Sequence, residues 1–213
     1  MKRKRLLLPC SLLMLFLLWT VAVKLLVVRA IGPLGSSVGF APLNRLVHGW
    51  TGFNRELYTL TDWLGLVPIG VCVCFGLLGL SQLVRRKSLR QVDGDLLLLG
   101  GFYGAVMACF LLFEVFPVNY RPVLIEGRLE ASYPSSTTLL VMCVMPTAWM
   151  QLNRRIGSNA LRRLAAIVIW GFTAFMVAGR ILSGVHWITD IIGGVILSAA
   201  LVTAYGAVLR SEN

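Results

Sequence analysis

Charge is what this chain lacks. Only 14% of its 213 residues are charged, while 57% are hydrophobic and the mean hydropathy is +0.80. Soluble domains carry about a quarter charged residues. A water-soluble surface is therefore excluded, and an integral membrane protein is expected. Acidic residues are the scarcer sign, nine Asp and Glu against twenty Lys and Arg, for a net charge of +11. That excess does not mark a nucleic-acid partner. The basic residues stand in short clusters between apolar runs, as membrane topology requires, and no nucleic-acid motif is present. The five cysteines (Cys10, Cys72, Cys74, Cys109 and Cys143) lie inside apolar runs. Cys72 and Cys74 are too close for a zinc-type pair and have no histidine near. They read as small buried apolar residues, with no disulfide and no cysteine-held metal expected. Internal repeats and low-complexity segments are also missing.

What is there in quantity is long apolar runs. A membrane-crossing helix needs about 20 mostly apolar residues. Six segments approach that, at roughly 6–28, 64–84, 95–117, 137–152, 163–182 and 189–209. The fourth is short. The expected fold class is all-α: an integral membrane bundle of about six transmembrane helices, forming one polytopic domain over 1–213. Basic clusters sit at Lys2, Arg3, Lys4 and Arg5, at Arg85, Arg86, Lys87 and Arg90, at Arg154, Arg155, Arg162 and Arg163, and at Arg210. They alternate with segments poor in Lys and Arg, so they share one side. The positive-inside rule makes that side cytoplasmic, with both termini. The loops around 30–62, 118–136 and 183–188 then face outward. The first run has the basic start of a signal peptide. It is long, holds Trp19 and has no clean small-x-small site after it, so a retained helix is expected.

Residues 30–62 form the largest outer segment. Leu43, Leu46, Val47, Trp50 and Phe53 recur there at helical spacing, which predicts an amphipathic helix lying at the interface. His48 reads as an interfacial histidine, since nothing nearby would activate it. Trp19, Trp63, Trp149 and Trp187 fall near span ends and read as aromatic-belt anchors. Gly193-Gly194 in the last span reads as a close helix packing contact.

Ionisable groups near apolar spans mark function by default. Three groups collect on the outer side: Glu114 with Arg121-Pro122, the stretch YPSSTT at 133–138, and GRILSGVHWITD with Arg180, His186 and Asp190. His186 and Asp190, four residues apart, would share a helix face, where the carboxylate can orient the imidazole. Thr189 or Asp190 could also cap the sixth span. Arg121 and Arg180 come from different loops, and guanidinium forks match phosphate oxygens. A serine-rich turn entering a helix adds N–H donors and a positive dipole end. Together these predict a phosphate cradle, with the hydroxyls of YPSSTT capping the fourth span.

The order RP, then PSxxT before a span, then R-x5-H-x3-D resembles the type-2 phosphatidic acid phosphatase superfamily, the lipid phosphate phosphatases. The resemblance covers about the last half of the chain, and the six-span layout matches bacterial members. It implies a histidine nucleophile: His186 forming a phosphohistidine, Asp190 orienting it, and Arg121, Arg180, Ser135 and Ser136 with the turn backbone holding the phosphate. No metal or cofactor is implied, because the arginines supply the positive charge. The family's third motif begins with serine, where this chain has Gly179. Its first motif, K-x6-R-P, has lysine where this chain has Glu114. Its second, P-S-G-H, has a general-acid histidine where this chain has Thr137.

Losing a general acid costs about 10²–10⁴ in rate. The cost falls when the leaving group is itself a phosphate, so the expected substrate is a lipid phosphate or an isoprenoid pyrophosphate such as undecaprenyl pyrophosphate, cleaved on the outer face of the cell membrane. A carboxylate among Glu114, Glu126 and Glu130 could instead supply the proton. The alternatives are headgroup transfer between lipids, with Glu114 facing a cationic group, and a non-catalytic lipid-binding member of the family. Membrane lipids are the remaining expected partners.

Overall fold

In a lipid core the backbone has no water to bond, so apolar runs close their hydrogen bonds within themselves as helices. The computed structural model describes residues 2–211, with side chains from Arg5 onward; the side chains of Lys2, Arg3 and Lys4 lie outside the described residues. Eight α-helices follow in order: α1 Lys2–Leu25, α2 Ala41–Thr51, α3 Arg55–Leu64, α4 Leu66–Arg86, α5 Gly94–Val115, α6 Ser136–Arg155, α7 Asn159–Leu182 and α8 Ile188–Leu209. Among the described residues, five helical stretches are long and apolar enough to cross a membrane: Arg5–Leu25, Arg55–Arg86, Gly94–Val115, Asn159–Leu182 and Ile188–Leu209. This is a multi-pass helical membrane protein.

The expected fourth span corresponds to α6, 20 residues long, which is not among these five stretches. It is less apolar than the other five because it does not face lipid. It packs against α4, α5, α7 and α8 and buries Thr138, Thr147 and Gln151 besides its apolar residues. The main core joins α1, α5, α6 and α8 through Phe16, Val23, Leu99, Phe102, Leu139, Leu197 and Tyr205. Ties between basic residues and neighbouring helices gather at one end of the bundle. Arg155 pairs with Asp95 at 2.9 Å, Arg86 pairs with Asp93 at 2.9 Å, and Arg5 donates to the Arg210 carbonyl at 3.1 Å. The N-terminus of α6 lies at the other end.

The outer segment departs from the single helix expected. α2 and α3 are separate, broken at Gly52, whose φ of +60° no side chain adopts easily. Asn54 then caps α3, accepting the Leu57 N–H at 2.9 Å. The apolar face points outward, with Leu43, Leu46, Trp50 and Phe53 exposed, while the polar Asn44 is fully buried. Asn44 faces α8. Its Nδ2 donates to the Gly39 carbonyl at 2.8 Å and to Thr189 Oγ1 at 3.0 Å, and its Oδ1 accepts the Thr189 N–H at 3.3 Å. Trp19 Nε1 donates to the Thr189 carbonyl at 3.1 Å. Trp19 is therefore a tie between α1 and α8 rather than a belt anchor. Trp187 is buried and donates Nε1 to the Tyr120 carbonyl at 2.8 Å, which removes it from the belt as well. Trp63 is exposed.

Candidate active site

Three chain segments meet at the site end of α6. The first is a hairpin between α5 and α6, closed by bridges Tyr120↔Ala131 and Ile125↔Arg128 and turning at Glu126 and Gly127, both at positive φ. Its paired legs place Asn119, Arg121, Glu130 and Ser132 side by side. The second is the turn 133–135 entering α6. The third is the turn between α7 and α8, which carries His186.

His186 and Asp190 do not share a helix face as the spacing suggested. α8 begins at Ile188, so His186 stands in the turn before it and only Asp190 is helical. The two side chains meet through a third. Ser132 Oγ donates to Asp190 Oδ2 at 2.5 Å and lies 3.0 Å from His186 Nδ1. Nδ1 also lies 3.1 Å from the Ser132 carbonyl oxygen. The Asp190 carboxylate further accepts Asn119 Nδ2 at 3.0 Å and the Trp187 N–H at 3.0 Å. That last bond caps α8, as the sequence allowed for Asp190.

The other ring nitrogen fixes the tautomer. Arg180 Nη2 sits 3.3 Å from His186 Nε2. A guanidinium only donates, so Nε2 carries the lone pair and Nδ1 the hydrogen. Burial, then Arg121 and Arg180, push the His186 pKa well below 6.5, partly offset by the Ser132 carbonyl. The ring is thus held neutral with Nε2 aimed at Arg180.

Arg180 is 1% exposed. α3 surrounds its far side: Thr61 Oγ1 accepts from Nη1 at 3.4 Å, Tyr58 lies beneath the guanidinium at 5.2 Å, and Asp62 Oδ1 is 4.0 Å away. Its Nε is buried and unbonded. Arg121 likewise has Nε and Nη1 buried without a hydrogen bond. Glu130 Oε2 approaches Arg121 Nε to 3.0 Å, off the axis that a hydrogen bond needs. Buried unbonded donors are costly. Three such donors belong to Arg121 and Arg180, the two arginines whose charges act on His186.

Arg121, Ser132, Ser136 and His186 line one cavity of about 550 Å³, together with Glu114, Arg128, Glu130 and several aromatic rings. Glu126 is exposed at the hairpin tip. Thr137 lines a different cavity, about 510 Å³, with Asp62 and apolar residues of α4, α5 and α6; Ser136 borders both. Ser135 occupies the N-cap position of α6, but its side chain makes no cap bond. It accepts from Thr138 Oγ1 at 3.1 Å, and its N–H donates to the Asp190 carbonyl at 3.1 Å. The expected hydroxyl cap is thus a backbone tie between the turn and α8. Gly193 and Gly194 allow that closeness, since a Cβ on Gly193 would lie 2.5 Å from the Tyr133 ring and one on Gly194 would lie 3.2 Å from Thr138. His48 packs edge-on to Trp187 at 5.4 Å, outside the cavity, and burial lowers its pKa.

Sequence reasoning missed Ser132, Asn119, Tyr58, Thr61 and Asn44. Ser132 stood one residue before the quoted stretch. The others carry no motif, though Gly52 followed by Asn54 was a legible helix break.

Residues 114–211 match the model of the PAP2 superfamily. The fold is similar to that in the crystal structure of the first transmembrane PAP2 type phosphatidylglycerolphosphate phosphatase from Bacillus subtilis. The TM-score is 0.63 at 18% identity, over 97% of this chain and 98% of that one. No curated protein matches the chain by sequence.

Proposed function

We propose that this chain is a membrane member of the PAP2 superfamily and a lipid phosphatase working through a phosphohistidine on His186. The carrying observation is a buried neutral histidine whose Nε2 meets Arg180, with Arg121 lining the same cavity as the ring and both arginines holding unbonded buried donors. Arg121 and Arg180 hold the phosphate oxygens as charge develops on them. Nε2 attacks phosphorus in line with the lipid-side oxygen. The P–O bond breaks as the N–P bond forms. Water then cleaves the N–P bond, releasing inorganic phosphate and restoring the ring. Ser135 and Ser136 border the phosphate position.

Thr137 cannot protonate the departing oxygen, and it faces the second cavity. The reading therefore favours a departing group that is already a weak base, namely a lipid phosphate released from a pyrophosphate. An isoprenoid pyrophosphate of the undecaprenyl type fits that chemistry. Six spans are proposed, with α6 as the shielded one and 1–213 as one domain. The basic end of the bundle faces the cytoplasm with both termini, and the site faces outward.

One observation favours headgroup transfer as a second reading. Glu114 shares the cavity with His186, where a carboxylate can receive a cationic acceptor lipid.

The test is phosphate release by the full chain in detergent. The substrates are an isoprenoid pyrophosphate, its monophosphate, phosphatidic acid and phosphatidylglycerol phosphate, each with His186→Ala alongside. Release from the pyrophosphate that vanishes in the variant is expected. A near-equal rate on the monophosphates would overturn the pyrophosphate preference. Phosphate appearing on an added lipid before it appears in water would favour transfer. A rate unchanged by His186→Ala would remove the histidine mechanism altogether.

A further inference from the structure

We infer that Ser132 is a positioning residue: its hydroxyl is the bridge through which Asp190 acts on His186. The inference rests on the phosphohistidine reading for its kinetic consequence, and on geometry alone for the bridge itself.

A serine beside a histidine and an aspartate invites a different reading, with Ser132 as the nucleophile. The hydrogen positions exclude it. At 2.5 Å from a carboxylate oxygen, the Ser132 hydrogen is committed to Asp190. The hydroxyl therefore turns its lone pairs toward His186 Nδ1, 3.0 Å away. Nδ1 carries the ring hydrogen, because Arg180 occupies the lone pair of Nε2. Every donor in the chain from Nδ1 to Ser132 to Asp190 thus points the same way, toward the carboxylate. A serine whose oxygen receives from the imidazole cannot also pass its hydrogen to that imidazole.

The direction of this chain decides its use. When Nε2 bonds to phosphorus, the ring gains positive character and Nδ1–H becomes a stronger donor. The Ser132 oxygen, already polarised by the carboxylate, meets that change. Asp190 stays in place because Asn119 and the Trp187 N–H also donate to its carboxylate. Two features of Ser132 divide the work. Its carbonyl, 3.1 Å from Nδ1, keeps the tautomer. Its hydroxyl couples the charge.

The location follows from the hairpin. Ser132 N–H donates to the Asn119 carbonyl at 2.9 Å, so the residue is pinned to the same leg pair that supplies Asn119. One short segment thus places both groups that grip Asp190 away from α8. The charged groups facing the ring are Arg121 from the hairpin, Arg180 from α7 and Asp190 from α8.

The experiment is a double-variant cycle on the full chain in detergent, with Ser132→Ala, Asp190→Asn, the pair together, and His186→Ala. The assay uses whichever lipid phosphate the wild type turns over. Each variant is first checked for a monodisperse elution peak. Ser132→Ala is expected to lower kcat by about 10²-fold with KM little changed, the scale of a mispositioned catalytic group. The pair should be no worse than Asp190→Asn alone, because both changes break one connection. Losses that multiply would overturn the bridge while leaving the histidine mechanism standing. A rate unchanged in His186→Ala would sink that mechanism instead.

A second readout does not depend on turnover. The chain has only two histidines, so ¹⁵N-histidine labelling with His48→Gln isolates the His186 ring. The ring is expected to take its proton at lower pH in Ser132→Ala than in wild type, since an acceptor beside Nδ1–H has gone. Identical titrations in the two proteins would overturn the bridge, whatever the activity.

Discussion

A Cβ on Gly179 would lie 2.6 Å from Thr61 Cγ2. The related motif that this chain resembles begins with serine at that position, and α3 leaves no room for one. The same threonine hydroxyl accepts from Arg180, so the packing that forbids the serine also seats the arginine. Gly179→Ser is therefore expected to lower the thermal midpoint in detergent by the equivalent of about 1–3 kcal/mol, the usual range for overpacking. Adding Thr61→Ala should recover part of that loss. A Gly179→Ser protein as stable as wild type would show that α3 can move aside.

Glu130 Oε2 lies 3.0 Å from Arg121 Nε, and its side chain is 40% exposed. Exposed ion pairs contribute about 0.2–1 kcal/mol. Glu130→Gln should release Arg121 and tighten inhibition by inorganic phosphate about 2- to 5-fold, read from competitive inhibition constants. Weaker inhibition would mean that Glu130 holds Arg121 in position rather than competing for it.

The acid limb of kcat/KM reports the free enzyme's essential base. Burial, Arg121 and Arg180 all lower the His186 pKa from 6.5, so this limb should fall well below pH 6.5. Arg121→Gln removes one positive charge and should move it upward. The stability sign agrees. An unfolded chain protonates this histidine near pH 6.5 while the folded chain does not, so stability drops as pH falls below that value and is unaffected above it. A limb at or above pH 6.5 in the wild type would contradict the buried neutral ring.

Asn44 is fully buried and is the hydrogen-bond acceptor for the Thr189 N–H at the start of α8. Asn44→Ala leaves that donor and Thr189 Oγ1 without the amide. An unmet buried donor costs about 1–3 kcal/mol, and the midpoint of thermal unfolding should fall accordingly. Asn44→Asp keeps the acceptor but not the donor, and should lose less. Equal midpoints for wild type and Asn44→Ala would mean that α2 merely rests on α8.

The helices were legible because lipid imposes one rule on every crossing segment, and apolar length reads it directly. α1, α4, α5, α7 and α8 fall within a few residues of the runs seen in the sequence. α6 was legible by its flanking charges, while its low apolarity makes sense only once its neighbours shield it. Arg121, Arg180 and His186 were grouped from the sequence because ionisable residues beside apolar spans are costly, and the structure brings them together. The Ser132 bridge was not legible. It is made by a hairpin register and a helix start, and a one-residue shift of either would break it, yet neither has a period. The spacing of His186 and Asp190 suggested direct contact for the same reason: it assumed α8 began earlier than Ile188. The break at Gly52 was signalled and was overridden by the helical spacing of Trp50 and Phe53, which continues across it by coincidence of two outward faces.

Trp19 and Thr189 are bonded across 170 positions of sequence, and Asn44 joins them from the second helix. A ribosome makes Trp19 and Asn44 long before Thr189. Through most of synthesis the indole and the amide have no α8 to bind, and the turn bearing His186 does not exist. The surroundings of His186 are therefore completed only when α8 packs beside α1. Quality control that acts on unmet polar groups inside the membrane would see this protein as incomplete until α8 arrives.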